Sequence, residues 1–184
     1  MISATGYTGS GGFELYVKNN HLQELWDAIF EAGEGTGIVP VGLGARDTLR
    51  LEMGYCLYGN DIDDKTSPIE AGLGWITKTK KENFNSIEVF RNQRKEGIQK
   101  KLVGFVMDDR RVPRHGYEIL DNDENVIGHV TSGTLSPCLE KPIGMGYVPK
   151  TKAVLGEKVM ISFGRKSLTA EIVKVPFYAV KKEG

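Results

Sequence analysis

NVIGHVTSGTLSPCLEKPIGMGYV, residues 125–148, decides the fold of the second half of this chain. It holds two short β-rich segments, NVIGHVTSG and IGMGYV, separated by turn-forming residues. Working outward, the same texture continues in both directions. LVGFVM (102–107) and GYEIL (116–120) precede it, and KVMISF (158–163) and LTAEIVKV (168–175) follow. DNDEN, between Leu120 and Val126, reads as a hairpin turn, because Asp and Asn hydrogen-bond their own backbone and tolerate left-handed angles. Five or six short strands within about 80 residues suggest a small antiparallel barrel or sandwich.

Upstream of Lys100 the pattern is mixed. Phe13, Leu15 and Val17 alternate with Glu14 and Tyr16, which predicts a half-buried strand after a glycine-rich turn at Gly6–Gly12. Leu22, Leu25, Trp26, Ile29 and Phe30 fall at helical spacing, predicting a helix from about Asn20, as N-cap, to Ala32, with Gly33 as the stop. A second helix is expected from Leu43 to Met53, ended by Gly54. IEAGLGWIT, after Pro68, is strand-like. NSIEVFRNQRKEG reads as a charged, exposed helix capped near Asn85 and stopped by Gly97. The expected boundary lies near Gly97, dividing residues 1–97 from 98–184.

Composition narrows the function. Lys plus Arg and Asp plus Glu are 24 each, so net charge supplies no general attraction to nucleic acid or anionic membrane. No apolar run approaches the roughly 20 residues of a membrane helix. Cys56 and Cys138 form no CxxC pair, and His21, His115 and His129 share no ligand spacing, so neither a zinc site nor a disulfide framework is expected. Two reduced thiols fit a cytoplasmic protein. GLGARD (42–47) approaches the dinucleotide fingerprint, but Asp47 stands where the last glycine belongs.

Several charged residues admit two readings. Glu14 sits on the strand face opposite Phe13 and Leu15, which is either simply wet or functional. Arg46 and Arg50 share a helix face, as a solvated surface or as a grip on a carboxylate. Arg110, Arg111 and Arg114 form either an exposed basic loop or an anion clamp. No serine has a neighbouring His–Asp pair in sequence. Periodicity does not choose among these readings.

Four segments together resemble the aminomethyltransferase family, the T-proteins of the glycine cleavage system. They are ATGYTGSGGFEL (4–15), GLGARDTLRLEMGYCLYGNDID (42–63), SPIEAGLGWITK (67–78) and GHVTSGTLSPCLEKPIGMGYVP (128–149). Ser10-Gly11 departs from the acidic residues that often follow YTG in the family. The resemblance implies an α+β chain: a partial ferredoxin-like, mixed α+β folate-binding region followed by a small antiparallel β-barrel. It further implies tetrahydrofolate as cofactor and substrate, and lipoylated H-protein as partner. The implied products are 5,10-methylenetetrahydrofolate and ammonia, from aminomethyl-dihydrolipoyl H-protein.

By the same resemblance Glu14 matches the pterin-binding glutamate, Tyr7 an aromatic of that pocket, Arg46 the site arginine, and Arg114 a basic position that helps close the folate hole. The carboxylate would accept N3–H and the 2-amino group of the pterin side by side. Family chains are about twice as long, which implies a fragment, inactive alone and prone to self-association. The family's aspartate near folate N5 would lie in the other half, leaving no catalytic residue in this chain. A dimethylglycine or sarcosine dehydrogenase-like folate module, and a non-catalytic barrel for interactions, are the alternatives. The family branch that assists iron–sulfur assembly carries KGC-x-x-GQ, which EAGLGWITKTKKENF (70–84) lacks.

Overall fold

Six antiparallel strands close into a barrel in the computed structural model, which describes residues Met1–Tyr178. Two short strands come first, β1 (Ile2–Ser3) and β2 (Glu14–Leu15), then the helices α1 (Leu22–Ala32), α2 (Leu43–Glu52) and α3 (Ile87–Glu96). The barrel strands are β3 (Lys100–Met107), β4 (Glu118–Leu120), β5 (Val126–Ser136), β6 (Lys141–Pro149), β7 (Lys158–Ser162) and β8 (Ser167–Val173). Their order around the barrel is β3-β6-β5-β4-β7-β8, with β8 closing on β3. Closure removes every free strand edge from this part of the chain. The expected strands and the DNDEN turn are all present. Asp121 holds that turn by accepting from the Asp123 and Asn125 amides, each at 3.0 Å.

Alternation sets the barrel interior. Val103, Phe105 and Met107 of β3 point inward with Ile119, Val130, Val148, Val159, Ile161, Ala170 and Ile172, forming one buried cluster. On β6 the inward positions beside Val148 are Gly144 and Gly146. A Cβ at Gly144 would come within 2.5 Å of the Phe105 ring, and one at Gly146 within 2.6 Å of Ile119 Cδ1. The missing side chains make room for the large ones opposite. The outward residues of β6, Ile143 and Met145, are buried too, in a second cluster with Leu51, Leu102, Val106, Leu139 and Phe177. β6 is therefore covered on both faces.

Two compact units result, Met1–Arg50 and a second beginning at Leu51. The division falls within α2, whereas Gly97 marks the start of the barrel strands. Residues between Leu51 and Gly97 are tied to the barrel by polar bonds: Leu102 N donates to Glu70 O at 2.9 Å, and Asp61 accepts from Ser132.

Three local expectations are corrected. IEAGLGWIT forms turns, not a strand. Ser67-Pro68-Ile69-Glu70 is a capping box: Ser67 Oγ accepts from the Ile69 and Glu70 amides at 3.1 Å, and the Glu70 carboxylate accepts from Ser67 N at 3.2 Å. Pro68 suits the first helical position. Gly72, at φ +77°, ends the turn, with Leu73 N donating to Pro68 O and Gly72 N to Ile69 O, the paired bonds of a Schellman stop. Asn20 does not cap α1; a 3-10 turn over Asn19–His21 leads in, and no side chain caps the helix. The predicted strand around Phe13–Val17 shrinks to Glu14–Leu15, paired with Ile2–Ser3. The Gly33 and Gly97 stops stand as expected.

Candidate functional site

Residues expected at a site fall in both units. In the first, Ser3 and Glu14 are cross-strand partners of β1 and β2, which sets Glu14 beside the chain leading out of β1. The Thr5 hydroxyl donates to Glu14 Oε2 and lies 3.0 Å from Ser3 Oγ. Glu14 is half-buried, and among the described residues no cation pairs with it. Its second carboxylate oxygen keeps its acceptor capacity. Tyr7, half-buried in the glycine-rich turn, lies under the guanidinium of Arg46 from α2, with Arg46 Cζ 4.3 Å from the ring centroid. The structure thus joins Tyr7 to Arg46 in a cation–π pair and joins Glu14 to Thr5.

Arg50, one helical turn beyond Arg46, is fully buried, and its Nε and Nη2 reach Asp47 Oδ1 at 2.8 and 2.7 Å. Of the two arginines, Arg46 is the exposed one.

In the second unit Arg114 stands exposed in the loop between β3 and β4. Arg111 pairs with Asp109 at 3.5 Å in the same loop, and His115 donates from Nδ1 to Thr131 O at 2.9 Å, which fixes its tautomer.

Besides Glu70 of the capping box, two buried carboxylates were not singled out from the sequence. Asp61, with no exposed surface, accepts from Thr131 Oγ1 (2.5 Å), Ser132 Oγ (3.0 Å) and Leu57 N (2.9 Å), while its carbonyl accepts from Tyr147 Oη (2.9 Å). Burial pushes the Tyr147 phenol above its ordinary pKa. Glu52 accepts from the Ser136 hydroxyl and from Cys138 N (3.1 Å). With several donors each, both acids are satisfied and structural, anchoring the end of α2 and the segment after it to β5 and its following turn. The Glu52 carboxylate holds the exposed Cys138 thiol above its usual range, so Cys138 is a poorer nucleophile at neutral pH than a free cysteine. The sequence carried one signal for this network, the polar run Thr131–Ser136 inside an otherwise apolar strand.

α3 organises the loop before it. Arg91 donates to Thr79 O (3.2 Å) and Lys81 O (2.8 Å), and Arg94 to Thr77 O (3.1 Å) and to Gly74 O. Pro68, Ile76, Lys78, Phe84 and Phe90 line an open groove of about 410 Å³ beside that loop. Among the described residues no group of three or more His, Cys, Asp and Glu side chains could hold a metal ion, and no helix is long and apolar enough to cross a membrane.

A closed six-stranded antiparallel barrel, preceded by an α+β segment with a half-buried glutamate, defines a class of two-part chain ending in a small barrel. Comparison with known families sharpens this. Residues 1–81 match the model described as GCVT N-terminal domain, and residues 100–179 match the glycine cleavage T-protein C-terminal barrel domain. The chain belongs to the glycine cleavage T-protein, or aminomethyltransferase, family.

It is 57% identical over 177 residues to an aminomethyltransferase of Flavobacterium psychrophilum, covering 96% of this chain and 49% of that protein. It is 52% identical over 177 residues to the aminomethyltransferase of Halothermothrix orenii, with the same coverage. The crystal structure of glycine cleavage system aminomethyltransferase T from Bartonella henselae superposes with a TM-score of 0.88 at 35% identity, covering 96% of this chain and 49% of that one. The chain spans about half the length of the curated relatives it matches.

Proposed function

We propose that this chain forms the folate-binding part of a tetrahydrofolate-dependent aminomethyltransferase. The reaction would give 5,10-methylenetetrahydrofolate and ammonia from aminomethyl-dihydrolipoyl H-protein, in the cytoplasm. Residues 1–97 would be the folate-binding region and 98–184 the barrel domain. Tetrahydrofolate supplies the accepting nitrogens, so the protein need provide no covalent nucleophile; its part is binding and orientation.

The observation that carries this reading is the state of Glu14: half-buried, fixed by Thr5, and paired with no cation among the described residues. Such a carboxylate suits the paired N3–H and 2-amino donors of a pterin. Arg46 on Tyr7 gives a cation and a ring in the same unit, and Arg114 remains a proposed closing residue. Glu14→Ala in a full-length homologous enzyme is expected to lower folate affinity at least about tenfold, since a charge-assisted pair is lost. A loss under about threefold by calorimetric titration would remove the pterin assignment.

By itself, a chain matching half the relatives' length is expected to release no ammonia above background when mixed with aminomethylated H-protein and tetrahydrofolate. We further infer self-association, supported by the exposure of Trp75 (74%) and Ile76 (50%) in the second unit and Phe13 (71%) in the first. A clean monomer by light scattering at high concentration would refute it.

A further inference from the structure

One end of the barrel carries a cleft, of about 490 Å³, made by residues distinct from those assigned to folate above. Lys100 opens β3, Ile127 and His129 belong to β5, Tyr147 to β6, and Glu70 lies in the capping box. Register explains the assembly. His129 and Tyr147 are cross-strand partners, and their neighbours Val130 and Val148 fill the core, so both side chains project outward on one side. Lys100 pairs with Pro149, next along β6, and its Nζ stands 5.0 Å from the centroid of the Tyr147 ring.

Several polar groups around the cleft are already committed. The Thr131 and Tyr147 hydroxyls donate to Asp61, and the Glu70 carboxylate accepts from Ser67 N. Three side chains are not: among the described residues the Lys100 ammonium, the His129 ring and the Gln99 amide have no hydrogen bond or ion pair, and of these Lys100 is the cation. Lys100 is half-buried, and a partly desolvated cation lacking a counter-ion favours an anion beside it. Ile127 and Pro149 add an apolar wall. The volume lies within the roughly 300–1,000 Å³ of small-molecule sites, which join apolar lining to a few polar anchors. Glu70 on the same wall disfavours a ligand charged all over and favours one with its charge at a single end.

We propose that this cleft is a second small-molecule site, taking an aromatic organic anion whose carboxylate or phosphate is held by Lys100 and His129 while its ring lies on Ile127 and Pro149. It stands independently of the folate reading, since none of its residues contributes to the proposed pterin pocket.

Titration of the whole chain at low ionic strength tests it with 4-aminobenzoyl-glutamate as a carboxylate probe and adenosine monophosphate as a phosphate probe. Amide shifts are followed at Gly128 and Val148. Saturable binding of either probe below about 1 mM, localised to those amides, is expected, and the probe that binds identifies the anion. Lys100→Gln should weaken binding at least about fivefold and His129→Gln at least about threefold, with unchanged thermal midpoints. Added salt should weaken it further. Absence of saturation up to about 10 mM for both probes overturns the proposal. So does unchanged affinity in the double variant, or loss of the shifts on Glu14→Ala, which would place the probe at the pterin position.

Discussion

The barrel unit and the unit Met1–Arg50 treat their apolar side chains in opposite ways. Phe105, Ile119, Ile143 and Ile161 in the barrel have no exposed surface. In Met1–Arg50 no apolar side chain is buried among the described residues; Leu22 and Trp26, on the stripe of α1, remain 58% and 49% exposed. The barrel closes its sheet on itself and so supplies its own interior. The first unit has a two-stranded sheet of two residues each, which buries little and marginally supports itself. Order in the barrel rests on packing, while in the first unit it rests on individual side-chain contacts such as Thr5 to Glu14 and Arg46 over Tyr7. Stability and the proposed pterin contacts of Glu14, Tyr7 and Arg46 therefore reside in different parts of the chain.

Substitutions can break or sharpen that contrast. The largest effect is expected from Phe105→Ala, which empties the barrel centre and should cost about 3–5 kcal/mol in denaturant unfolding. A cost below about 1 kcal/mol would mean that the barrel is not the stable unit. Asp61→Ala leaves the Thr131 and Ser132 hydroxyls and Leu57 N without their shared acceptor, and should cost about 2–3 kcal/mol by the same measurement. Gly144→Ala presses a methyl into the Phe105 ring and should cost about 1–3 kcal/mol, with relief in a Phe105→Leu background.

By contrast Trp26→Ala, on the exposed stripe, should change barrel unfolding by no more than about 0.5 kcal/mol. A larger loss would show that α1 contributes to the barrel's stability. The smallest effect is chemical. Because Glu52 raises the Cys138 thiol, alkylation near pH 8 should run slower than for an unperturbed cysteine and accelerate only at higher pH. Glu52→Gln removes that charge, lowers the thiol pKa and should speed alkylation at pH 8.

The barrel strands were legible because each is a short β-rich run bounded by turn formers, and DNDEN carries its own turn chemistry. The resemblance was legible in RDTLRLEMGYCLYGND (46–61) for a different reason, the length of the run. The candidate site was partly legible. Glu14 and Arg46 could be named, but nothing local shows that Thr5 holds one or that Tyr7 underlies the other. The reading of IEAGLGWIT failed because its apolar residues outweighed the capping signal in Ser67 and Glu70, three positions apart.

Sequence alone determined which segments of the barrel are extended, where α1 and α3 stop, and the family to which the pattern points, since these depend on residues close together along the chain. Tertiary structure decided that both faces of β6 are buried, that Gly144 and Gly146 make room for Phe105 and Ile119, and that Asp61 is sealed in the interior. Those outcomes depend on partners far along the chain, with Asp61 meeting Thr131 and Ser132 some 70 residues later. A carboxylate reads as solvated until closure of the barrel brings hydroxyl donors to it and removes the water.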